Sequence, residues 1–254
     1  MLLLPPSEGK AEGGDGAPWG DGRWAHPELH ADRRRVRDAV RAAIASAPDA
    51  AGRLLGARGP LLDRALADWR DLDGAPTLPA LERYSGVVWG ALAPRDMDRG
   101  TRARLRRRVL VPSGLWGLVA AGDPLPAYRL RMGASVAPVG GLAAFWRPRV
   151  TPLLAARAGR GWIVDLLPGE HRAAVDARAL GARLVTVELW TVGPSGERRA
   201  AGHDGKAAKG RLARAILEAD ARTPEAIAAL EVPGLTCAGL DRTARDRVCV
   251  SFNR

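Results

Sequence analysis

Short apolar runs that alternate with helical segments constrain the fold of this chain more than any other feature. Five runs have the length and composition of strands, at residues 2–4, 109–111, 162–167, 184–190 and 247–252. Helical patterns lie between them, at residues 27–40, 60–69, 151–158, about 206–219 and 224–230. This order is typical of an open α/β sheet, whose functional loops follow the strand ends. A chain of 254 residues with 46% hydrophobic content can bury one good core, so we expect a single domain spanning residues 1–254.

The apolar runs are all too short to span a membrane, which takes about 18 or more apolar residues. The opening leucines stop at Pro5 and Pro6, and no basic segment precedes them, so they do not have the pattern of a signal peptide. We therefore expect a cytoplasmic protein with no membrane partner. Cys237 and Cys249 lack C-x-x-C spacing and an obvious histidine partner, which predicts neither a disulfide framework nor a metal site.

The sequence also predicts no cofactor. The Walker A pattern G-x-x-x-x-G-K-[ST] fails around Lys206, because Ala200 stands at its first glycine and Ala207 at its hydroxyl position. The chain has no nucleophile elbow, no H-E-x-x-H helix and no Rossmann fingerprint between a strand and a helix.

The chain is strongly basic, with a net charge of +11 and a pI of about 11.0. Such an excess predicts attraction to polyanions, nucleic acid first and acidic membrane surfaces second, through phosphate contacts that salt weakens. An Arg-rich genome can inflate surface charge in the same way, so charge alone does not establish a nucleic-acid function.

Only three of the 39 basic residues are lysines: Lys10, Lys206 and Lys209. Lysine can lose its proton when it is buried, and it binds phosphate as a point charge; arginine differs in both respects. Lys10 lies in the Gly-rich loop 7–22 after the first strand, while Lys206 and Lys209 share one face at the start of a helix. These placements indicate an anion site. The alternative is that the three lysines lie by chance on an exposed surface and have no such role.

Other candidate site residues follow the predicted strands. Ser113 opens a turn after the strand at 109–111, and Glu170 and His171 follow the strand at 162–167, where they could serve as a general acid or base. A capping glutamate and an exposed histidine are equally consistent with that pattern. Tyr128 and Arg129 bring an aromatic plane beside a cation, a combination that can hold a base and its phosphate.

A helical hairpin is predicted at about residues 50–70. Two short helices flank the turn at 55–59, which contains Gly56 and Arg58. Such a pair can present backbone N–H groups to a phosphate, as in a helix–hairpin–helix contact with DNA. A plain helical hairpin has the same sequence pattern.

Taken together, these segments resemble the YaaA peroxide stress family. The resemblance lies in the order and spacing of six segments: Leu4-Pro5-Pro6-Ser7-Glu8-Gly9-Lys10, Tyr84-x-Gly86-x-x-Trp89-x-x-Leu92, Ser113-Gly114-Leu115-Trp116-Gly117, Tyr128-Arg129-Leu130-x-Met132, Phe145-Trp146 and His203-x-x-Lys206-x-x-Lys209-Gly210. It implies an α/β (α+β) domain of the family's own type, with a mixed sheet, surrounding helices, a positively charged cleft and a helix–hairpin–helix element. It also implies DNA binding and a role in limiting iron-driven damage during peroxide stress.

The chain departs from the family pattern at one point that bears on function. Where the family pattern after a strand is like Asn/Asp-Leu-x-Ser, this chain has Asp165-Leu166-Leu167-Pro168, without the serine. The departure indicates a cleft that has been retuned, in the direction of small-molecule chemistry in a specialised pathway.

Two functional hypotheses follow. The first is a cytoplasmic protein that binds double-stranded DNA through backbone contacts. Its anion- and DNA-binding candidates are Lys10, Ser113, Arg129, Lys206, Lys209, Arg211, Gly56 and Arg58. The second is an enzyme acting on a nucleobase, a nucleotide or another anionic small molecule, with Lys10 or Lys206 as nucleophile or base and Glu170 as proton carrier. A purely structural basic protein would explain the charge but not the lysines beside glycines.

Overall fold

A computed structural model describes residues 1–193, 195, 197–201, 204–242 and 248–253. His203 of the family motif, and residue 247 at the start of the last predicted strand, lie outside these residues. The strands are β1 (Leu2–Leu3), β2 (Leu78–Pro79), β3 (Val109–Ser113), β4 (Gly117–Ala120), β5 (Pro124–Leu125), β6 (Ser135–Val136), β7 (Gly140–Gly141), β8 (Ile163–Asp165), β9 (Leu184–Val192), β10 (Arg198–Ala200), β11 (Thr236–Asp241) and β12 (Val248–Asn253). The α-helices are α1 (His30–Ser46), α2 (Pro48–Leu55), α3 (Pro60–Asp71), α4 (Ala80–Arg83), α5 (Val87–Leu92), α6 (Arg99–Arg108), α7 (Leu142–Ala158), α8 (Gly169–Arg172), α9 (Ala177–Leu180), α10 (Asp204–Glu218) and α11 (Pro224–Ala228). Short 3-10 helices lie at Pro27–Leu29, Pro94–Asp96 and Gly181–Arg183.

Eight of these strands form one mixed sheet, in the order β11-β12-β9-β8-β1-β3-β4, with β10 paired to β9. The five strands from β12 to β3 run parallel, while β4, β10 and β11 add antiparallel edges. Strands buried on both faces of a parallel sheet are continuous apolar runs, which is why the sequence marks these five. The prediction of a single α/β domain with a mixed sheet and flanking helices is confirmed.

The central strand β1 determines where the functional loops meet. It pairs with β3 through Leu2 and Val109, and on its other side with β8 through Leu2 and Val164. The chain therefore proceeds from β1 to one side and later returns to the other, so the strand order reverses at β1. The loops after the carboxyl ends of β1, β3 and β8 converge at this switch point, which is the usual location of a ligand site in an open α/β sheet.

The helix α7 differs most from expectation. It begins at Leu142 rather than at residue 151, and it contains both Pro148 and Pro152. Leu142 and Trp146 are fully buried, so burial of this first half stabilises a helix that its prolines oppose. The short strands β2, β4 to β7, β10 and β11 were not predicted because they are brief or polar.

The predicted helical pair around residues 55–59 consists of α2 and α3. Gly56 ends α2 in the left-handed conformation, with φ of 63°, which favours glycine. A Cβ atom at this position would also lie 2.6 Å from Cδ of Arg131. Within the described ranges, no helix is long and apolar enough to cross a membrane.

Candidate functional site

A cleft with two chambers lies at the carboxyl edge of the sheet. The large chamber has a volume of about 510 Å³ and the small chamber a volume of about 70 Å³. Both are bordered by Ser7 and Glu8, from the loop after β1, and by Glu170 and His171, from α8. The chambers are therefore neighbouring parts of one cleft at the switch point.

Lys10 lines the small chamber and is held against two aromatic rings. Its Nζ donates a hydrogen bond to the Ser7 carbonyl oxygen at 2.8 Å, and it lies 4.2 Å from the centre of the Tyr128 ring and 5.7 Å from that of Tyr84. Burial, followed by the neighbouring Arg129 guanidinium, lowers the pKa of Lys10 from 10.5 to about 7. The ring faces attract an ammonium and act against this shift. At neutral pH the residue is populated both as an ammonium and as a neutral amine.

A chain of three buried hydroxyl groups lies beneath Lys10. The Tyr128 hydroxyl is 3.0 Å from that of Tyr84 and 2.8 Å from Oγ of Ser113. Burial raises the pKa of Tyr128 to about 12, so the phenol keeps its proton at neutral pH. Ser113 is fully buried and also accepts a hydrogen bond from the Trp116 amide at 3.2 Å. It supports the floor of the small chamber and does not line it.

Arg129 joins the helical hairpin to the loop that carries Lys10. Its guanidinium donates to the carbonyl oxygens of Leu55 at 3.1 Å and Gly56 at 2.9 Å, at the end of α2. The same group pairs with the Glu8 carboxylate at 2.9 Å. The orphan carbonyls at the helix end are thereby satisfied, and the hairpin is fixed at the mouth of the small chamber.

Glu170 and His171 form part of the wall between the chambers. Glu170 accepts a hydrogen bond from the Gly133 amide at 2.7 Å and lies 3.6 Å from the Arg131 guanidinium. Burial lowers the pKa of His171 below its usual value, so its imidazole is neutral at pH 7. Nδ1 of this ring is buried and has no hydrogen-bond partner within the described part of the chain. His171 therefore brings a neutral imidazole to the wall of both chambers, with Nδ1 on the buried side of the ring.

Lys206 and Lys209 extend from the first turns of α10 into the large chamber. Lys206 is exposed, while Lys209 is half-buried. Burial, aided by Arg172, lowers the pKa of Lys209 to about 8, and the carboxylate of Asp165 acts in the opposite direction. Two cations beside a helix N-terminus favour an anion in this chamber.

The departure from the family pattern lies in the wall of the large chamber. Asp165, at the end of β8, is buried, accepts the Leu167 amide at 2.7 Å and pairs with Arg172 at 2.5 Å. Pro168, at the position where the family resemblance leads us to expect serine, lines the chamber. The chamber wall is therefore apolar at this position, on the same chamber that Lys206 and Lys209 line.

Besides Ser113, three predicted site residues line neither chamber. Arg211 donates to the Pro233 carbonyl oxygen at 3.2 Å and lines neither chamber. Arg58 is exposed in the hairpin turn, and Gly56 contributes its carbonyl oxygen to Arg129. Among the residues the structure describes, no group of three or more His, Cys, Asp or Glu side chains could hold a metal ion.

Sequence reasoning missed three contributors to the cleft. Ser7 supplies the carbonyl that orients Lys10, and Tyr84 places its ring beside the same amine. Arg172 neutralises Asp165 at the end of β8. Ser7 and Tyr84 both lie within segments shared with the family, and this was the available signal.

Comparison with known proteins identifies the family to which the chain belongs. The family model described as peroxide stress protein YaaA matches residues 1–239. The chain belongs to the YaaA peroxide stress protein family. A UPF0246 protein of Streptomyces coelicolor is 36% identical over 231 residues, covering 91% of this chain and 87% of the relative. A UPF0246 protein of Corynebacterium efficiens is 38% identical over 224 residues, covering 85% and 84%. The YaaA family resemblance predicted from the motifs is confirmed.

Proposed function

We propose that this YaaA family member is a cytoplasmic protein of the peroxide stress response that binds duplex DNA without sequence preference and limits iron-driven damage to it. The observation that carries the proposal is the junction at Arg129. This residue ties the end of α2 to Glu8 and so places the hairpin turn beside the lysine-lined cleft.

The electrostatics of this region favour a polyanion. Arg58 is exposed in the hairpin turn, and Lys206 and Lys209 border the large chamber. A net charge of +11 adds a long-range attraction that concentrates DNA near the protein. Contacts of this kind go to phosphates and carry no sequence information, which is why we expect nonspecific binding.

The test is the affinity of the full chain for a fluorescent duplex, measured by anisotropy for the parent and for Arg58→Ala. The matched control is Arg160→Ala, which removes the same charge from an exposed residue before the amino end of β8, at the opposite edge of the sheet. Arg58→Ala should weaken binding clearly more than Arg160→Ala. Equal effects would show that only net charge matters and would remove the hairpin from the interface.

Limiting iron-driven damage has a test of its own. Supercoiled plasmid is exposed to ferrous iron and hydrogen peroxide with the parent protein or with Arg58→Ala, both at concentrations that saturate the parent. Less nicking with the parent than with the variant is the expected result. Equal nicking with and without protein would contradict the protective role while leaving DNA binding intact.

A second candidate function is an enzyme of a specialised pathway that acts on a nucleotide or another anionic small molecule. The large chamber favours it, because its volume of about 510 Å³ falls within the roughly 300–1,000 Å³ typical of small-molecule pockets. Its walls join the apolar Pro5 and Pro168 to the cationic Lys206 and Lys209. Incubation with a panel of nucleosides and nucleotides, followed by chromatography, tests this function. Conversion that Lys209→Ala abolishes would support it, and an unchanged panel would count against it.

A further inference from the structure

The small chamber contains a lysine amine that neither anion binding nor duplex contact requires. A cation that only binds phosphate gains nothing from burial, since burial weakens its charged form. Lys10 is nonetheless half-buried, with Nζ held by the Ser7 carbonyl and the Tyr128 ring. An amine desolvated next to another cation, here Arg129, is the usual form of a lysine nucleophile that attacks carbonyl carbons.

We propose that Lys10 is the nucleophile of an abasic-site lyase activity, in which its amine attacks the C1′ aldehyde of an abasic deoxyribose in duplex DNA. This inference rests on the proposed binding of duplex DNA. The substrate class is a sugar aldehyde flanked by phosphates. The cleft can hold the carbonyl group of the sugar at Lys10 and the phosphates at its other cations.

The small chamber has room for only one end of a sugar. Its volume of about 70 Å³ lies far below the roughly 300 Å³ of pockets that enclose a whole small ligand. A nucleotide with its base does not fit, whereas the C1′–C2′ end of an open-chain deoxyribose does. Leu55 and Arg129 border this chamber, so a DNA backbone bound at the hairpin lies next to Lys10.

The residues around the chamber can complete the reaction. The lone pair of Nζ forms a bond to C1′, and the carbonyl oxygen leaves as water, which leaves an imine. The neutral imidazole of His171, which lines the same chamber as Lys10, takes a proton from C2′. The C2′–C3′ double bond forms as the C3′–O bond breaks and the 3′ phosphate departs, stabilised by the cations of the cleft. Water then hydrolyses the imine and releases the Lys10 amine and the unsaturated aldehyde.

Reductive trapping tests this proposal directly. The full chain is incubated with a duplex that contains one abasic site, in the presence of sodium cyanoborohydride, and the covalent protein–DNA product is digested and mapped by mass spectrometry. The mapping is clean because the chain has three lysines and one α-amine. The adduct should lie on Lys10, and Lys10→Arg should reduce its yield by on the order of a hundredfold or more. Mapping on the parent chain keeps the test decisive even if that variant fails to fold.

Two controls separate the possible outcomes. Arg160→Lys adds an exposed lysine at the far edge of the sheet, and this residue should not be trapped. A duplex with tetrahydrofuran in place of the abasic sugar cannot form an imine, so it measures binding alone. Binding to this duplex without trapping of the aldehyde duplex would overturn the lyase proposal and leave DNA binding standing. An adduct on Met1, Lys206 or Lys209 would also overturn it, and failure to bind either duplex would overturn both proposals.

Discussion

The Nζ atom of Lys10 lies 4.2 Å from the centre of the Tyr128 ring, and the Tyr128 hydroxyl in turn bonds to Ser113. The loop after β1 and the end of β3 are therefore linked through one side chain. Since β1 and β3 are adjacent parallel strands, the position of the amine is determined by the central sheet. The base of the cleft is thus buried in the fold, while the hairpin turn is exposed at Arg58.

The first prediction concerns the protonation of Lys10. Because burial favours the neutral amine, Lys10 should titrate near pH 7, and its reactive neutral fraction should rise as pH increases through that value. Reductive ¹³C-methylation followed by NMR measures this, with Lys10→Arg identifying the signal that disappears. A Lys10 signal that titrates near its ordinary pKa of 10.5 would contradict the burial described above.

The same shift affects stability. Between about pH 7 and 10.5 the unfolded chain carries a proton on Lys10 that the native chain has lost, so the unfolded state binds more protons. This group therefore contributes a free energy of unfolding that rises with pH across that window. The slope should be smaller in Lys10→Met when urea unfolding is followed at several pH values. Identical slopes for parent and variant would show that Lys10 keeps its ordinary pKa.

A third prediction addresses the buried hydroxyl chain. Tyr128→Phe removes a hydroxyl that bonds to both Tyr84 and Ser113, and it leaves buried polar groups with fewer partners. The free energy of unfolding should fall by about 1–3 kcal/mol. Tyr84→Phe is the matched control, because the Tyr84 hydroxyl is at one end of this row of three hydroxyl groups. It removes one of these bonds and should lower the free energy of unfolding less. Urea unfolding compares the two, and equal losses would argue against a shared network.

Much of this organisation could be predicted from the sequence. The five parallel strands were visible as apolar runs, and the loop after residues 2–4 lines both chambers. Lys10, Lys206 and Lys209 stood out because arginine replaces lysine nearly everywhere else. Lys10 reaches the cleft because its loop follows β1 at the switch point, whereas Lys206 and Lys209 reach it from the start of α10.

Other features depended on tertiary contacts that no local pattern reveals. Arg33 and Arg83 are fully buried, although arginine in this chain looked like a generic surface cation. Arg33 donates to the carbonyl oxygens of Trp116 and Leu118 and stacks on Trp24. Ser113 was expected at the cleft surface but is enclosed by the partners of its hydroxyl.

A fourth prediction distinguishes two roles for the lysines of the large chamber, binding an anion as cations and acting as a nucleophile or base. Lys206→Arg and Lys209→Arg keep a cation at the start of α10, so duplex affinity should change by less than about 1 kcal/mol. The corresponding Ala variants should bind more weakly. If a lysine acts as nucleophile or base, Arg cannot replace it, and turnover of any nucleotide substrate would fall by on the order of a hundredfold or more. Conversion that survives both Arg changes would exclude catalytic roles for these two lysines.

The most direct measurement of the central claim is the salt dependence of duplex affinity for the parent protein. Each phosphate neutralised should contribute a slope of about −0.9 to log affinity against log salt, so affinity should fall steeply between about 50 and about 200 mM. Arg58→Ala should reduce the magnitude of the slope by roughly one such unit, and duplexes of unrelated sequence should give the same line. An affinity that stays unchanged across this salt range would contradict duplex binding through the hairpin and cleft.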